Sequence, residues 1–196
     1  MITVFDIASE FLDRAGGKVN AVKLQKLCFY AYGWFAHLTG EPLFGERFYA
    51  MQYGPVVGEL LSAHAGKKEV DASMMQTQLE ERDVDRESMT GYVTAILDEV
   101  WDFYGSMDSF ELAEYSRGEA IWQSSWESRP DDSKRCDLTQ SELVSYFLQR
   151  APKEGEAPGM PAPRRVTVPE ELLRDAERQE AVHQPFVDAI RALHAV

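Results

Sequence analysis

Apolar side chains recur every three to four residues in five segments of the chain, and this spacing predicts amphipathic helices. The five segments are residues 3–15, 20–39, 55–61, 88–104 and 139–147, with a shorter helical segment at 109–116. Thr3 and Thr139 each have an acidic residue three positions later, the spacing of a capping box, and Asn20 can cap the second helix. The chain is therefore predicted to be mainly α.

Residues 47–53 instead alternate bulky and small side chains, the period of a strand. Tyr49, Met51 and Tyr53 have the same parity, so their side chains are expected on one side. Gly54 follows and is expected to hold a positive φ, and Pro55 suits the first turn of the next helix. We therefore expect a minor extended or hairpin element around residues 44–53.

Residues 66–86 are polar and weakly periodic, which predicts a mobile connection or one that faces a partner. Prolines and glycines crowd residues 151–168, where they disfavour both helix and central strand. Residues 169–196 form an amphipathic pattern broken at Pro185 and too short to bury a core alone. The predicted organisation is a compact helical single domain over 1–150, a Pro/Gly-rich linker at 151–168 and a C-terminal amphipathic helical tail at 169–196.

Charge narrows the choice of partner. The chain has 33 acidic and 20 basic residues, a formal charge of −13, and residues 1–149 hold 25 acidic and 13 basic side chains. An acidic body repels nucleic acid phosphates and favours a basic partner, although such an excess also serves solubility alone. No apolar run approaches the ~20 residues of a membrane span, and the first residues lack a signal peptide's basic segment. We expect a cytoplasmic protein without a membrane partner, and self-association stays open.

Candidate chemistry is sparse. The four histidines lie far apart at spacings that match no metal-binding motif, and the two cysteines, Cys28 and Cys136, have no partner at ligand spacing. The sequence contains no nucleophile elbow, phosphate-binding glycine loop or dinucleotide fingerprint. We therefore predict no catalytic residue, no metal and no cofactor, and no enzymatic activity.

Four short motifs carry a family resemblance. They read K-L-Q-K-L at 23–27, Y-A-Y-G-W at 30–34, G-E-P-L-F at 40–44 and Y-G-P-V-V at 53–57. In this order and spacing they resemble the Panacea antitoxin domain, also described as a phage-associated domain of the GepA type. The resemblance covers residues 1 to about 150, and it implies an antitoxin of a type II-like pair that neutralises a cognate protein toxin by direct binding.

A second role is implied by one branch of that family, which resembles a proteolytic adaptor that delivers its toxin to an ATP-dependent protease. The chain departs from the family pattern at residues 115–122, where Thr/Ser-His followed by Glu-x-Pro-Trp is usual. Here the sequence is Y-S-R-G-E-A-I-W, which keeps Trp122 and lacks the His and the Pro. A role for that His therefore does not transfer to this chain.

The density of aromatic residues suggests where a toxin would bind. Leu24, Leu27 and their helical neighbours already fill one helix face, so Tyr30 and Trp34 are expected at its partly exposed edge. Exposed Tyr and Trp dominate binding energy at protein interfaces. The alternative is that neighbouring helices bury every ring. The predicted toxin-binding residues are Tyr30, Trp34, Tyr49, Met51 and Tyr53, with acidic surface contributing to recognition.

A rival hypothesis is a phage-associated regulatory protein or a small enzyme whose site joins residues remote in sequence. A cavity lined by His64, Asp102 and Arg117 would favour that hypothesis, whereas a flat aromatic and acidic patch would favour the antitoxin. Autoregulation by DNA binding is a third hypothesis, and the acidic body disfavours it.

Overall fold

Eight helices and five short strands make up residues 2–80 and 89–164, the part of the chain that the computed structural model describes. The helices are α1 (Val4–Arg14), α2 (Ala21–Thr39), α3 (Gly58–Ala63), α4 (Ala72–Glu80), α5 (Gly91–Tyr104), α6 (Ser109–Arg117), α7 (Ala120–Glu127) and α8 (Gln140–Gln149). The strands are β1 (Lys18–Asn20), β2 (Phe48–Met51), β3 (Gly54–Val57), β4 (Glu69–Asp71) and β5 (Arg135–Leu138). The predicted mainly α class is confirmed. The predicted tail at 169–196 lies outside the described residues.

Helix α2 is the centre of the fold. Helices α1, α5, α6 and α8 and strand β3 all pack against it, so side chains on every side of the helix are buried. An amphipathic helix with one buried stripe was expected, but a helix packed on several sides keeps only scattered exposed positions such as Val22. Packing around α2 therefore decides which aromatic side chains remain available at the surface.

The helix ends follow the capping residues that the sequence indicates. Thr3 and Thr139 form capping boxes with Asp6 and Glu142, and the Asn20 side chain accepts hydrogen bonds from the first backbone N–H groups of α2. Asp108 forms a further capping box at the start of α6. These contacts are local in sequence, and the prediction of these helix starts is confirmed.

Strand β2 lies between β3 and β5 in an antiparallel three-stranded sheet. The extended run is confirmed, and Gly54 has the expected positive φ of 94°. The predicted helix start at Pro55 is wrong: Pro55 pairs with Ala50 in the hairpin, and α3 begins at Gly58. Proline is tolerated there because β3 is an edge strand, where a backbone N–H on the outer side has no strand to bond.

Residues 66–80 also differ from the expected connection. Strand β4 pairs with β1 in a second, two-stranded sheet, and α4 follows it directly. Val70 and Met75 are fully buried in the core. The sequence pattern did not predict this strand and helix, in which two apolar side chains anchor a mostly polar segment. A mobile or partner-facing role for the segment stays a prediction. Residues 81–86, the rest of that predicted connection, lie outside the described residues.

Residues 151–164, the described part of the predicted linker, run along the body. Gly159 donates its N–H to Glu99, the N–H of Arg164 donates to the carbonyl of Leu38, and Glu156 is buried. The division of the chain into a domain, linker and tail stays a prediction. Among the described residues, no helix is both long enough and apolar enough to cross a bilayer.

Candidate functional site

Two polar side chains of α2 hold strand β3 in place. The Gln25 amide accepts from the N–H of Val57 at 2.8 Å and donates to its carbonyl oxygen at 3.4 Å. Lys26 donates from Nζ to the carbonyl oxygen of Pro55 at 2.7 Å. The K-L-Q-K-L motif thus recognises the backbone of the Y-G-P-V-V motif, which explains why α2 carries a polar pair in its most buried part.

The Lys26 ammonium is an expensive group to bury. Its residue has no exposed surface, and no carboxylate of the described residues pairs with it. Burial disfavours the charged form and lowers the pKa of Lys26 to about 7. At neutral pH the folded protein therefore holds this lysine near the midpoint of its titration.

This lowered pKa predicts a specific pH dependence of stability. Below pH 7 Lys26 is charged in both states, whereas above it the folded state loses a proton that the unfolded state keeps up to a pKa of 10.5. The free energy of unfolding should therefore rise by about 1 kcal/mol per pH unit between pH 7.5 and 8.5. Burial also raises the pKa of the Cys28 thiol, but that group affects stability only above its usual pKa of 9.0.

Lys26→Met should abolish the rise, as measured by urea unfolding at pH 7.5, 8.0 and 8.5. Lys18→Met is the control, because Lys18 is exposed, its pKa is raised by Glu69, and it stays charged in both states over this range. An equal slope in all three proteins would contradict the assignment.

A cavity of about 880 Å³ opens beside this contact. Its wall combines the α2–β3 contact, the β2–β3 turn, the loop after α3 and the segment between α7 and β5. The lining residues include Gln25, Met51, Gln52, Tyr53, His64 and Trp126, and five cationic side chains: Lys26, Lys67, Arg117, Arg129 and Lys134. Within residues 2–80 and 89–164, no carboxylate lines it. A basic cavity has thus formed in an acidic protein.

Arginine and aromatic side chains alternate next to this cavity. The rings of Trp122 and Trp126 are stacked, with centroids 5.9 Å apart. The guanidinium of Arg129 lies 3.7 Å from the Trp126 ring centroid, and that of Arg117 lies 5.2 Å from the Trp122 ring centroid. Such stacking fixes the cations in position while leaving guanidinium N–H groups free to donate.

His64 lies in the cavity wall with a defined tautomer. Because Gln25 turns its amide nitrogen towards His64 Nε2 at 3.1 Å, Nε2 accepts and the neutral ring carries its proton on Nδ1. Burial lowers the pKa of His64, which keeps the ring neutral at pH 7. In the described part of the chain, Nδ1 has no hydrogen-bond partner beyond its own residue. The cavity wall therefore contains a buried N–H donor that no other residue satisfies.

A second polar cluster meets α2 at Tyr30, about one helical turn beyond Lys26. Arg150 donates to both carboxylate oxygens of Glu119 at 2.8 and 2.9 Å, and also to Glu156 at 2.7 Å. Four tyrosine hydroxyls also donate hydrogen bonds to these carboxylates: Tyr30 and Tyr146 to Glu119, and Tyr104 and Tyr115 to Glu156. Burial raises the pKa of Glu156, but the bonds from Arg150 and Tyr104 outweigh it and leave the pKa lowered. This cluster joins residues 150–156 to the body and is saturated internally, so we assign it a structural role.

The structure separates the five predicted toxin-binding residues into two groups. Tyr30 is fully buried and stacks on Tyr104, and Trp34 is 5% exposed and donates from Nε1 to the Tyr104 hydroxyl. Their expected exposure is wrong because α5, α6 and α8 cover the edge of α2. Tyr49 and Met51 are half-buried on the outward side of β2, and Tyr53 is 65% exposed.

Basic side chains surround the three residues of the extended run. Met51 and Tyr53 line the cationic cavity, and the guanidinium of Arg135 lies over the Tyr49 ring at 4.5 Å. The acidic excess of the chain lies elsewhere. The exposed aromatic surface and the basic cavity thus share one face of the protein.

Of the three residues in the rival hypothesis, His64 and Arg117 line the cavity, and Asp102 on α5 does not. The cavity therefore lacks the carboxylate that this hypothesis would use. Across residues 2–80 and 89–164, no group of three or more His, Cys, Asp or Glu side chains is placed to hold a metal ion.

Comparison with known protein families finds a match that includes part of this site. Residues 24–123 match the family described as antitoxin SocA-like, Panacea domain. The chain belongs to the SocA-like Panacea domain family. Searches of curated proteins and of solved structures find no match to this chain.

The Panacea match begins in α2 and ends in α7. It includes the α2–β3 contact, the β2–β3 turn and Arg117, whereas Arg129 and Lys134 lie beyond it. Sequence reasoning missed Lys26, Arg129 and Lys134 as site residues. Lys26 could have been found, since a lysine within the run of large apolar side chains in α2 indicates a buried charge with a special partner.

Proposed function

We propose that this Panacea-domain protein is the antitoxin of a type II-like pair and neutralises a cognate protein toxin by direct contact, without catalysis. Membership of the antitoxin SocA-like family carries the proposal. The surface that fits this role is the outward side of the β2–β3 hairpin, formed by Tyr49, Met51 and Tyr53. We call these three residues the hairpin surface.

The hairpin surface has the properties of an interface anchor. Tyr53 projects from the turn with 65% of its surface exposed, and no ring of the described residues stacks on it. Below it, the backbone is held by the β2 ladder and by α2, so a partner would meet a preorganised surface and lose little ordering entropy on binding. The buried Tyr30 and Trp34 contribute indirectly by supporting α2.

Tyr53→Ala should weaken binding of the toxin by about thirtyfold, equivalent to about 2 kcal/mol, because the anchor ring is lost while the fold is kept. The assay uses the small toxic product expected from the neighbouring gene, in growth rescue by co-expression and in titration of the purified pair. Thermal unfolding of the free variant establishes that it is folded.

Phe110→Ala is the matched control, since Phe110 is 72% exposed and lies outside the cavity lining. It should neutralise like the wild type. A folded Tyr53→Ala protein that binds and neutralises the toxin normally would exclude the hairpin surface, and a neighbouring product without toxicity would count against the antitoxin role itself.

Two modes of neutralisation fit a binding protein of this family. Blocking requires only the complex, whereas an adaptor must also present the toxin to an ATP-dependent protease. The modes separate in cells that lack such proteases: a blocking antitoxin still rescues growth there, and an adaptor does not. We favour blocking, because it requires only that the hairpin surface bind the toxin, whereas an adaptor also needs a second surface for the protease.

A further inference from the structure

The charge of the cavity is opposite to that of the chain. Five basic side chains and, among the described residues, no carboxylate line it, although the chain as a whole has a formal charge of −13. Among the described residues only Arg117 of the five pairs with a carboxylate, Glu114. Cations held together without counter-charges repel one another, and a bound anion would relieve this cost.

Several hydrogen-bond donors belong to side chains that line the cavity. Among the described residues, the Nε atoms of Arg117 and Arg129 have no hydrogen-bond partner, His64 Nδ1 has none beyond its own residue, and the buried Lys26 ammonium uses one of its three N–H groups on Pro55. A ligand that complements this wall must present several acceptor oxygens and negative charge. Phosphate groups have that chemistry, and arginine and lysine are their usual partners.

Size and rim point to more than a bare phosphate. The cavity volume of about 880 Å³ lies in the range of small-molecule sites and far exceeds one phosphate ion. At the rim, Tyr53 presents an exposed ring on which no other ring of the described residues stacks. A nucleobase has the flat π-face that stacks on such a ring, while its phosphates reach the cations.

We propose that this cavity binds a nucleoside di- or triphosphate, with the phosphates among Lys26, Arg117, Arg129 and Lys134 and the base against Tyr53. A small ligand fits better than a nucleic acid strand, because Lys26 and His64 lie buried in the wall and the acidic exterior repels a polyanion. The proposal concerns the free protein and does not depend on toxin neutralisation.

Isothermal titration of the full chain, without toxin, tests the proposal with four probes: ATP, GTP, inorganic pyrophosphate and adenosine. ATP or GTP should bind and raise the melting temperature. Pyrophosphate should bind at least tenfold more weakly because it lacks the base, and adenosine should not bind measurably. Affinity should fall with salt, as expected for a charged site.

Variants locate the site without relying on the buried lysine. Arg129→Gln and Lys134→Gln should each weaken ATP binding at least tenfold, because both remove a cation from the wall. Tyr53→Ala should weaken ATP binding and leave pyrophosphate binding unchanged. Lys18→Gln is the control, since it removes an exposed cation outside the cavity and should have no effect.

Any of five results would overturn the proposal. The first three are no binding of either nucleotide at millimolar concentration by folded protein, adenosine binding as tightly as ATP, and pyrophosphate binding as tightly as ATP. The other two are a loss of affinity in Lys18→Gln equal to that in Arg129→Gln, and binding of a polyglutamate peptide in preference to both nucleotides. Because no toxin is present, these results leave the antitoxin proposal to its own test.

Discussion

Replacing Arg150 with methionine should lower the free energy of unfolding by about 4 kcal/mol. The Arg150 side chain is 9% exposed and neutralises Glu119 and Glu156, whose side chains are 2% and 0% exposed. Its removal leaves two carboxylates buried without a counter-charge, a change that typically costs 3–5 kcal/mol. Urea unfolding at pH 7 measures the loss.

The matched control is Arg14→Met. Arg14 also bridges two carboxylates, Glu10 and Asp98, but these are 35% and 60% exposed and can be solvated by water. That variant should lose no more than about 1 kcal/mol. Adding Glu156→Gln to Arg150→Met should restore part of the stability, because one uncompensated charge disappears. Equal losses for Arg150→Met and Arg14→Met would contradict the role assigned to the buried cluster.

Gly54→Ala should cost about 3 kcal/mol, the second large effect. Gly54 has a φ of 94°, where a side chain is strained, and a Cβ there would lie 2.5 Å from Ser116 Oγ and 3.0 Å from Lys26 Cε. Strain and overpacking each contribute on the order of 1–2 kcal/mol. Thermal and urea unfolding measure the sum.

Gly16→Ala separates the two contributions. Gly16 has a φ of 76° and no atom within 4 Å of an added Cβ, so only the strain applies and about 1 kcal/mol should be lost. In a Ser116→Ala background the cost of Gly54→Ala should fall, because the nearest atom is gone. Identical costs at Gly16 and Gly54 would show that close packing around the hairpin turn is unimportant.

The comparison of sequence and structure depends on how local each interaction is. Helix starts at Thr3, Asn20 and Thr139 were predictable because a cap bonds to backbone two or three residues away. The positive φ of Gly54 was also predictable, because a tight turn depends on the residues within it. The helix expected at Pro55 was wrong, because Gln25 and Lys26, about 30 residues earlier, hold that backbone as a strand.

In the candidate site, too, local features were predictable and contacts between distant segments were not. Tyr53 was predicted as exposed from the parity of the extended run, and Tyr30 and Trp34 were predicted at a surface edge that three helices cover. The cavity could not be predicted, because its cations come from α2, the loop after α3, α6 and the segment after α7. No spacing rule relates Lys26 to Lys134.

The sequence by itself determined the mainly α class, most helix boundaries, the extended run at residues 47–53 and the resemblance to the Panacea domain, because caps, periodicity and motifs act over a few residues. Only the tertiary structure decided that α2 is buried on all sides, that residues 54–57 form a strand, and that basic side chains of an acidic chain meet in one cavity. These outcomes depend on contacts between distant segments, where burial and backbone hydrogen bonding outweigh local preference.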